Sequence, residues 1–143
     1  MEVWLAEGDA WKLLSALLKA RYGLPALPRV ARQEGGKPCF PEHPQLHFNL
    51  SHSAGLALCA VGEAPLGVDV ERVRPRRPGL AEYALSPEEY RWYQAGGGGW
   101  ERFYTLWTLK EARVKCTGQG LRQLAREISV PLLEPGEAGE LDG

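Results

Sequence analysis

Apolar residues recur at helical spacing soon after the start of the chain, where Leu13, Leu14, Leu17 and Leu18 fall on one side of a 3.6-residue turn. Asp9 is placed to cap that helix and Gly23 to stop it, so a helix over residues 9–22 is predicted. Pro25, Pro28, Gly35, Gly36, Pro38, Pro41 and Pro44 then punctuate the chain too often for a long element. That stretch reads as loop with one short strand near Val30. Residues 47–50 and 55–61 are short β-compatible runs around Ser51-His52-Ser53-Ala54, which predicts strand, turn, strand. Leu66-Gly67-Val68-Asp69-Val70-Glu71 alternates strictly and is the strongest strand signal in the sequence. Ser86, Pro87 and Glu89 form a helix-start pattern, and the run Gly96 to Gly99 ends that helix. Phe103, Leu106, Trp107 and Val114 predict a long helix over residues 100–116, stopped by Gly118, and residues 127–133 read as a last strand. Helix, strands, then helices and a strand give an α+β class.

At 143 residues the chain has room for one compact domain or two small packed halves. Residues 1–64 form the expected N-terminal half and residues 65–143 the C-terminal half. Seventeen Lys and Arg against 18 Asp and Glu leave no global excess, which disfavours nucleic acid and membrane surfaces as partners. Local bias remains: Arg72, Arg74, Arg76 and Arg77 make a basic run, and Glu134, Glu137, Glu140 and Asp142 make the end acidic. Either can be a plain solvated segment. Cys39, Cys59 and Cys116 are odd in number and lack C-x-x-C spacing, so neither a disulfide framework nor a zinc knuckle is expected. No basic-then-apolar leader follows Met1 and no run reaches the ~20 apolar residues of a membrane span, so a cytoplasmic protein is expected.

In a strand Asp69 and Glu71 project from one face, about 6.6 Å apart, and two carboxylates so placed can converge on a hard cation. They are equally the charges of an ordinary wet face. On the long helix Trp107, Glu111 and Lys115 share a stripe, with Lys110 beside Glu111. A Glu111–Lys115 pair on a solvated face is the plain account, but a third acid packed across the strand would complete a three-carboxylate magnesium site. Lysines beside such a site suit a pyrophosphate whose bond is breaking. His52, between Ser51 and Ser53, is either a surface histidine or a phosphate donor. His43, His47 and His52 lack the spacing of a helical zinc pair, because Pro44 interrupts them. No G-x-S-x-G elbow, Walker loop or G-x-G-x-x-G is present.

Three blocks carry a resemblance: Phe48-Asn49-Leu50-Ser51-His52-Ser53; Gly67-Val68-Asp69-Val70-Glu71; and Trp107-x-x-Lys110-Glu111-Ala112-x-x-Lys115-x-x-Gly118-x-Gly120-Leu121. In this order and spacing the chain resembles the surfactin-synthetase-activating type of 4'-phosphopantetheinyl transferase, and Gly36-Lys37-Pro38 is similar to a fourth block. The resemblance implies a pseudo-twofold α+β fold of two similar halves with coenzyme A in the cleft between them, the second half shortened. It implies Mg²⁺, with Mn²⁺ as an alternative, on Asp69, Glu71 and Glu111. Lys110 and Lys115 would contact the pyrophosphate, Ser51 and His52 the 3'-phosphate side, and Gly36, Lys37 and Pro38 the nucleotide. Lys12 stands where the family often has another phosphate-binding base. Asp69, Glu111 and Lys115 would be catalytic, with Glu111 the general base. The implied partners are coenzyme A, an apo acyl or peptidyl carrier protein and, as an option, a second copy in a homodimer. A non-catalytic coenzyme A or carrier-protein binding module and a metal-dependent nucleotide hydrolase are the competing readings.

Overall fold

The computed structural model describes residues 1–120 and 123–140; Leu121 of the third block and Asp142 of the acidic end lie outside them. The elements are strand β1 (Glu2–Glu7), helix α1 (Ala10–Tyr22), strands β2 (Ala31–Arg32), β3 (Pro38–Cys39), β4 (His47–Ser53) and β5 (Leu56–Gly62), and helices α2 (Leu80–Ala84), α3 (Pro87–Ala95) and α4 (Trp100–Thr117). Helices and antiparallel sheets confirm the α+β class. The chain falls into two compact units, Met1–Glu71 with Glu111–Gly120, and Arg72–Lys110 with Leu121–Gly143. The first unit thus takes in residues 66–71 and the end of α4, both of which the sequence assigned to a C-terminal half.

In the first unit α1 forms as expected. The Asp9 carboxylate accepts the Lys12 N–H at 2.9 Å, and Gly23 closes the helix in the left-handed region. Leu14, Leu17 and Leu18 are buried with Phe40, Phe48, Cys59 and Val61, and Phe40 stacks on Phe48 at 4.2 Å between centroids. The sheet runs β1-β5-β4, all antiparallel. β1 was not anticipated, because Val3 and Leu5 are exposed while Trp4 between them packs on the core. Apolar residues on both faces erase the period-2 signal. The hairpin β4–β5 turns at Ala54 and Gly55, with φ of 50° and 84°, which fits a two-residue turn of mirror-image type. β4 therefore continues through Ser51 and His52, which the sequence had put in the turn. The short strand expected near Val30 is Ala31–Arg32, paired with Pro38–Cys39.

In the second unit the Ser86 and Glu89 capping box starts α3 as expected. The N-terminal part of α4 buries Phe103, Tyr104 and Leu106 against Ala84, Leu85 and Val130. α2 was not foreseen, being a five-residue helix without a side-chain cap. Residues 127–133 are not a strand: a 3-10 turn, Ala125–Glu127, precedes irregular backbone, and Ile128 and Val130 bury singly rather than in a ladder.

Candidate active site

Residues 66–71 carry the alternation of a strand yet belong to no sheet. Side chains take the place of a neighbouring strand. The Val68 N–H donates to Asn49 Oδ1 at 2.8 Å, and the Val70 N–H to Ser51 Oγ at 3.1 Å. Lys37 Nζ donates to the Leu66 carbonyl at 2.9 Å and Lys115 Nζ to the Val68 carbonyl at 3.1 Å. Alternate amides and alternate carbonyls are thus satisfied, as buried backbone requires, by side chains two residues apart on β4 and by two lysines. A Cβ on Gly67 would collide with the Ala112 carbonyl and the Cys116 amide, so only glycine lets the segment lie on the backbone of α4.

This lattice fixes Asp69. Its side chain is 5% exposed, and Oδ1 accepts from Lys115 Nζ at 2.8 Å and from the Ser51 hydroxyl at 3.2 Å. Its Oδ2 is buried and has no hydrogen-bond partner among the described residues. Such an oxygen costs free energy unless a donor or a cation meets it. Glu111, on the same helix as Lys115, is pushed above the usual carboxylate range by burial first and by the charge on Asp69 next; Lys115 pulls it back and Glu71 adds a further push. The three acids therefore share one field. Among the described residues no group of three His, Cys, Asp or Glu already stands in ligating geometry. Hard oxygen donors with one orphaned buried oxygen nevertheless suit a small divalent cation.

A cleft of about 420 Å³ opens beside this lattice, with Gly36, Lys37, Pro38, His52 and Lys115 in its lining. The structure thus gathers most of the sequence candidates. Asn49 of the first block also lines the cleft, and the structure adds two residues the sequence did not single out: Trp11 and Arg32, whose guanidinium donates to the Gly36 carbonyl at 3.0 Å. Arg32 was hidden because nothing in the local pattern tied it to the glycine turn.

Three expectations need correction. Lys110 does not reach the acids: it is 1% exposed, paired with Glu89 at 2.8 Å, and donates to the Ala125 and Ile128 carbonyls at 2.8 and 2.7 Å. All three of its protons are spent. Ser51 is buried, its one proton going to Asp69 and its lone pair to Val70, so it has no donor left for a phosphate. Lys12 is exposed on the first turn of α1 and is not part of the cleft lining.

The family model of the 4'-phosphopantetheinyl transferase superfamily matches residues 65–138. The chain belongs to that superfamily. It is 40% identical over 118 residues to a 4'-phosphopantetheinyl transferase of Bacillus subtilis, covering 80% of this chain and 53% of that one. The likeness to Sfp of Bacillus subtilis strain 168 is 37% over 111 residues, 76% of this chain and 50% of that protein. AcpT of Escherichia coli K12 is 36% identical over 121 residues, 81% and 61% respectively. The chain spans about half the length of the Bacillus relatives it matches. Among the described residues no helix is long and apolar enough to cross a membrane.

Proposed function

We propose that this chain transfers the 4'-phosphopantetheine arm of coenzyme A to a serine of an apo acyl or peptidyl carrier protein, with Mg²⁺ held by Asp69, Glu71 and Glu111. The observation that carries the reading is the Asp69 carboxylate, clamped through Oδ1 by Lys115 and Ser51 while its buried Oδ2 is left without a partner. When bound, the cation neutralises pyrophosphate charge and polarises the bond that breaks. The cleft residues Lys37 and His52 receive the nucleotide end of coenzyme A, and Lys115 stands between that cleft and the acids. Glu111 takes the proton of the carrier serine. The serine oxygen forms a bond to the phosphorus that bears the pantetheine arm, and the bond from that phosphorus to the bridging oxygen breaks. Adenosine 3',5'-bisphosphate leaves.

Binding without transfer is the second reading, favoured by the lack of ready ligating geometry among the three acids. Intact-mass spectrometry of an apo carrier protein incubated with the chain, coenzyme A and Mg²⁺ decides. One phosphopantetheine mass, lost in excess chelator, is the expected result. Coenzyme A binding with no mass gain would leave only the binding module, and bisphosphate release without a carrier protein would make the chain a hydrolase.

A further inference from the structure

Asn49 and Ser51 stand two apart on β4, are 5% and 6% exposed, and accept the amides of Val68 and Val70. The match is geometric: alternate residues of one strand repeat at the same spacing as alternate amides of an extended neighbour. A backbone ladder would hold the segment equally well but could not touch a carboxylate. The Ser51 hydroxyl does both, because one oxygen accepts from Val70 and its proton goes to Asp69 Oδ1. That proton holds Oδ1 on the Lys115 side and leaves the buried Oδ2 as the carboxylate oxygen without a partner among the described residues.

We infer that Asn49 and Ser51 are positioning residues that set the height and rotamer of Asp69 for a divalent cation, Ser51 by a bond to the carboxylate and Asn49 by pinning the preceding amide. The inference rests on the metal reading of Asp69 given above. It assigns Ser51 to the cation side of the site rather than to the phosphate of coenzyme A. Outer partners of ligating carboxylates change metal affinity by roughly 10–100-fold when removed.

The test uses the full chain and Mn²⁺ as probe, with bound metal read from loss of the aqueous Mn²⁺ paramagnetic signal. Ser51→Ala and Asn49→Ala should each weaken Mn²⁺ binding by about tenfold or more. Coenzyme A affinity, titrated calorimetrically in chelator, should stay within a factor of about two in Ser51→Ala, since Ser51 is not in the cleft lining and its lost bonds go to Asp69 and Val70. In the metal-free protein, amide exchange at Val70 should quicken in Ser51→Ala and at Val68 in Asn49→Ala, and Ser51→Thr should restore slow exchange at Val70 together with Mn²⁺ affinity. If Ser51→Ala does not fold, Ser51→Cys carries the same comparison with near-equal volume and a weaker donor. Parent Mn²⁺ affinity kept in full by both alanine variants overturns the inference alone. A parent that binds Mn²⁺ no better than Asp69→Asn overturns the metal reading and the inference with it. A fall in metal-free coenzyme A affinity in Ser51→Ala, with Mn²⁺ unchanged, returns Ser51 to the phosphate.

Discussion

Lys115 Nζ lies 2.8 Å from Asp69 Oδ1 and 3.1 Å from the Val68 carbonyl, so one ammonium holds both the carboxylate and the backbone beside it. A positive charge already neutralises the carboxylate whose other oxygen, Oδ2, is the one left for a divalent cation. The two should compete for Asp69 while cooperating on a pyrophosphate. Lys115→Met is therefore expected to lower kcat/KM for coenzyme A by roughly a hundredfold, the scale of a lost transition-state donor. Mn²⁺ affinity should stay level or rise. A parallel loss of metal affinity would show that Lys115 builds the cation site rather than sharing it.

Lys110 has the opposite standing although it precedes Glu111 in the chain. Its buried pair with Glu89 also holds the Ala125 and Ile128 carbonyls, and Glu89 caps α3 through the Ser86 amide at 3.0 Å. Lys110→Met strands a buried carboxylate and should cost about 3–5 kcal/mol of unfolding free energy. Adding Glu89→Gln removes that charge and keeps the cap, so part of the loss should return. Chemical denaturation of the three proteins checks this, and near-parent stability of the single variant would contradict the buried pair.

The contrast shows what a linear pattern can reveal. Asp69, Glu111 and Lys115 were legible because their spacing on an alternating run and on a helix stripe survives into the structure. Lys110 was misassigned because adjacency in sequence says nothing of burial, and on a helix the next residue points about 100° away. Residues 66–71 were read as strand because alternation reports an extended chain. It cannot report that the partner is Asn49, Ser51 and two lysines instead of backbone. β1 escaped because burial on one sheet face depends on β5, some fifty residues later.

Lys37 supplies a pH dependence. Burial lowers its pKa from the ordinary 10.5, and negative charge at Cys116 partly opposes that. The folded chain then loses the proton before the unfolded chain does, so across the alkaline interval just below 10.5 the unfolded state binds more protons and stability rises with pH. Below that interval the full penalty is present. The neutral amine still has two N–H groups for its acceptors, the Leu66 and Cys116 carbonyls. Relative to Lys37→Met, the parent should gain stability as pH climbs through that interval. Urea titrations at stepped pH, repeated with Cys116→Ser in both proteins, would refute this if the difference stays flat.

Glu111 pays in stability for its place among like charges. Glu111→Gln should raise the thermal midpoint in chelator by a few degrees, because it removes a half-buried carboxylate whose charge desolvation and Asp69 both disfavour. The same variant should lose phosphopantetheine transfer and most of the stabilisation that Mn²⁺ gives the parent. A midpoint that falls in chelator would show that Glu111 is held by favourable contacts rather than by repulsion.

Arg72, Arg74, Arg76 and Arg77 directly follow the acid-bearing segment, and all four are exposed. Arg76 differs in reaching the Tyr104 hydroxyl at 3.4 Å, which gives it a structural role in the second unit. Arg74 and Arg77 are thus the better probes of recognition. An acidic carrier protein would be drawn to them by field, which speeds encounter more than it deepens affinity and is screened beyond about 8 Å at physiological salt. Arg74→Ser with Arg77→Ser should raise the KM for the carrier protein several-fold at low salt, leave the KM for coenzyme A unchanged, and lose its effect as ionic strength rises. A solvated loop that serves only solubility predicts equal carrier-protein KM for parent and variant at every salt concentration. Steady-state kinetics at two ionic strengths separate the two, because only long-range attraction produces a difference that salt removes.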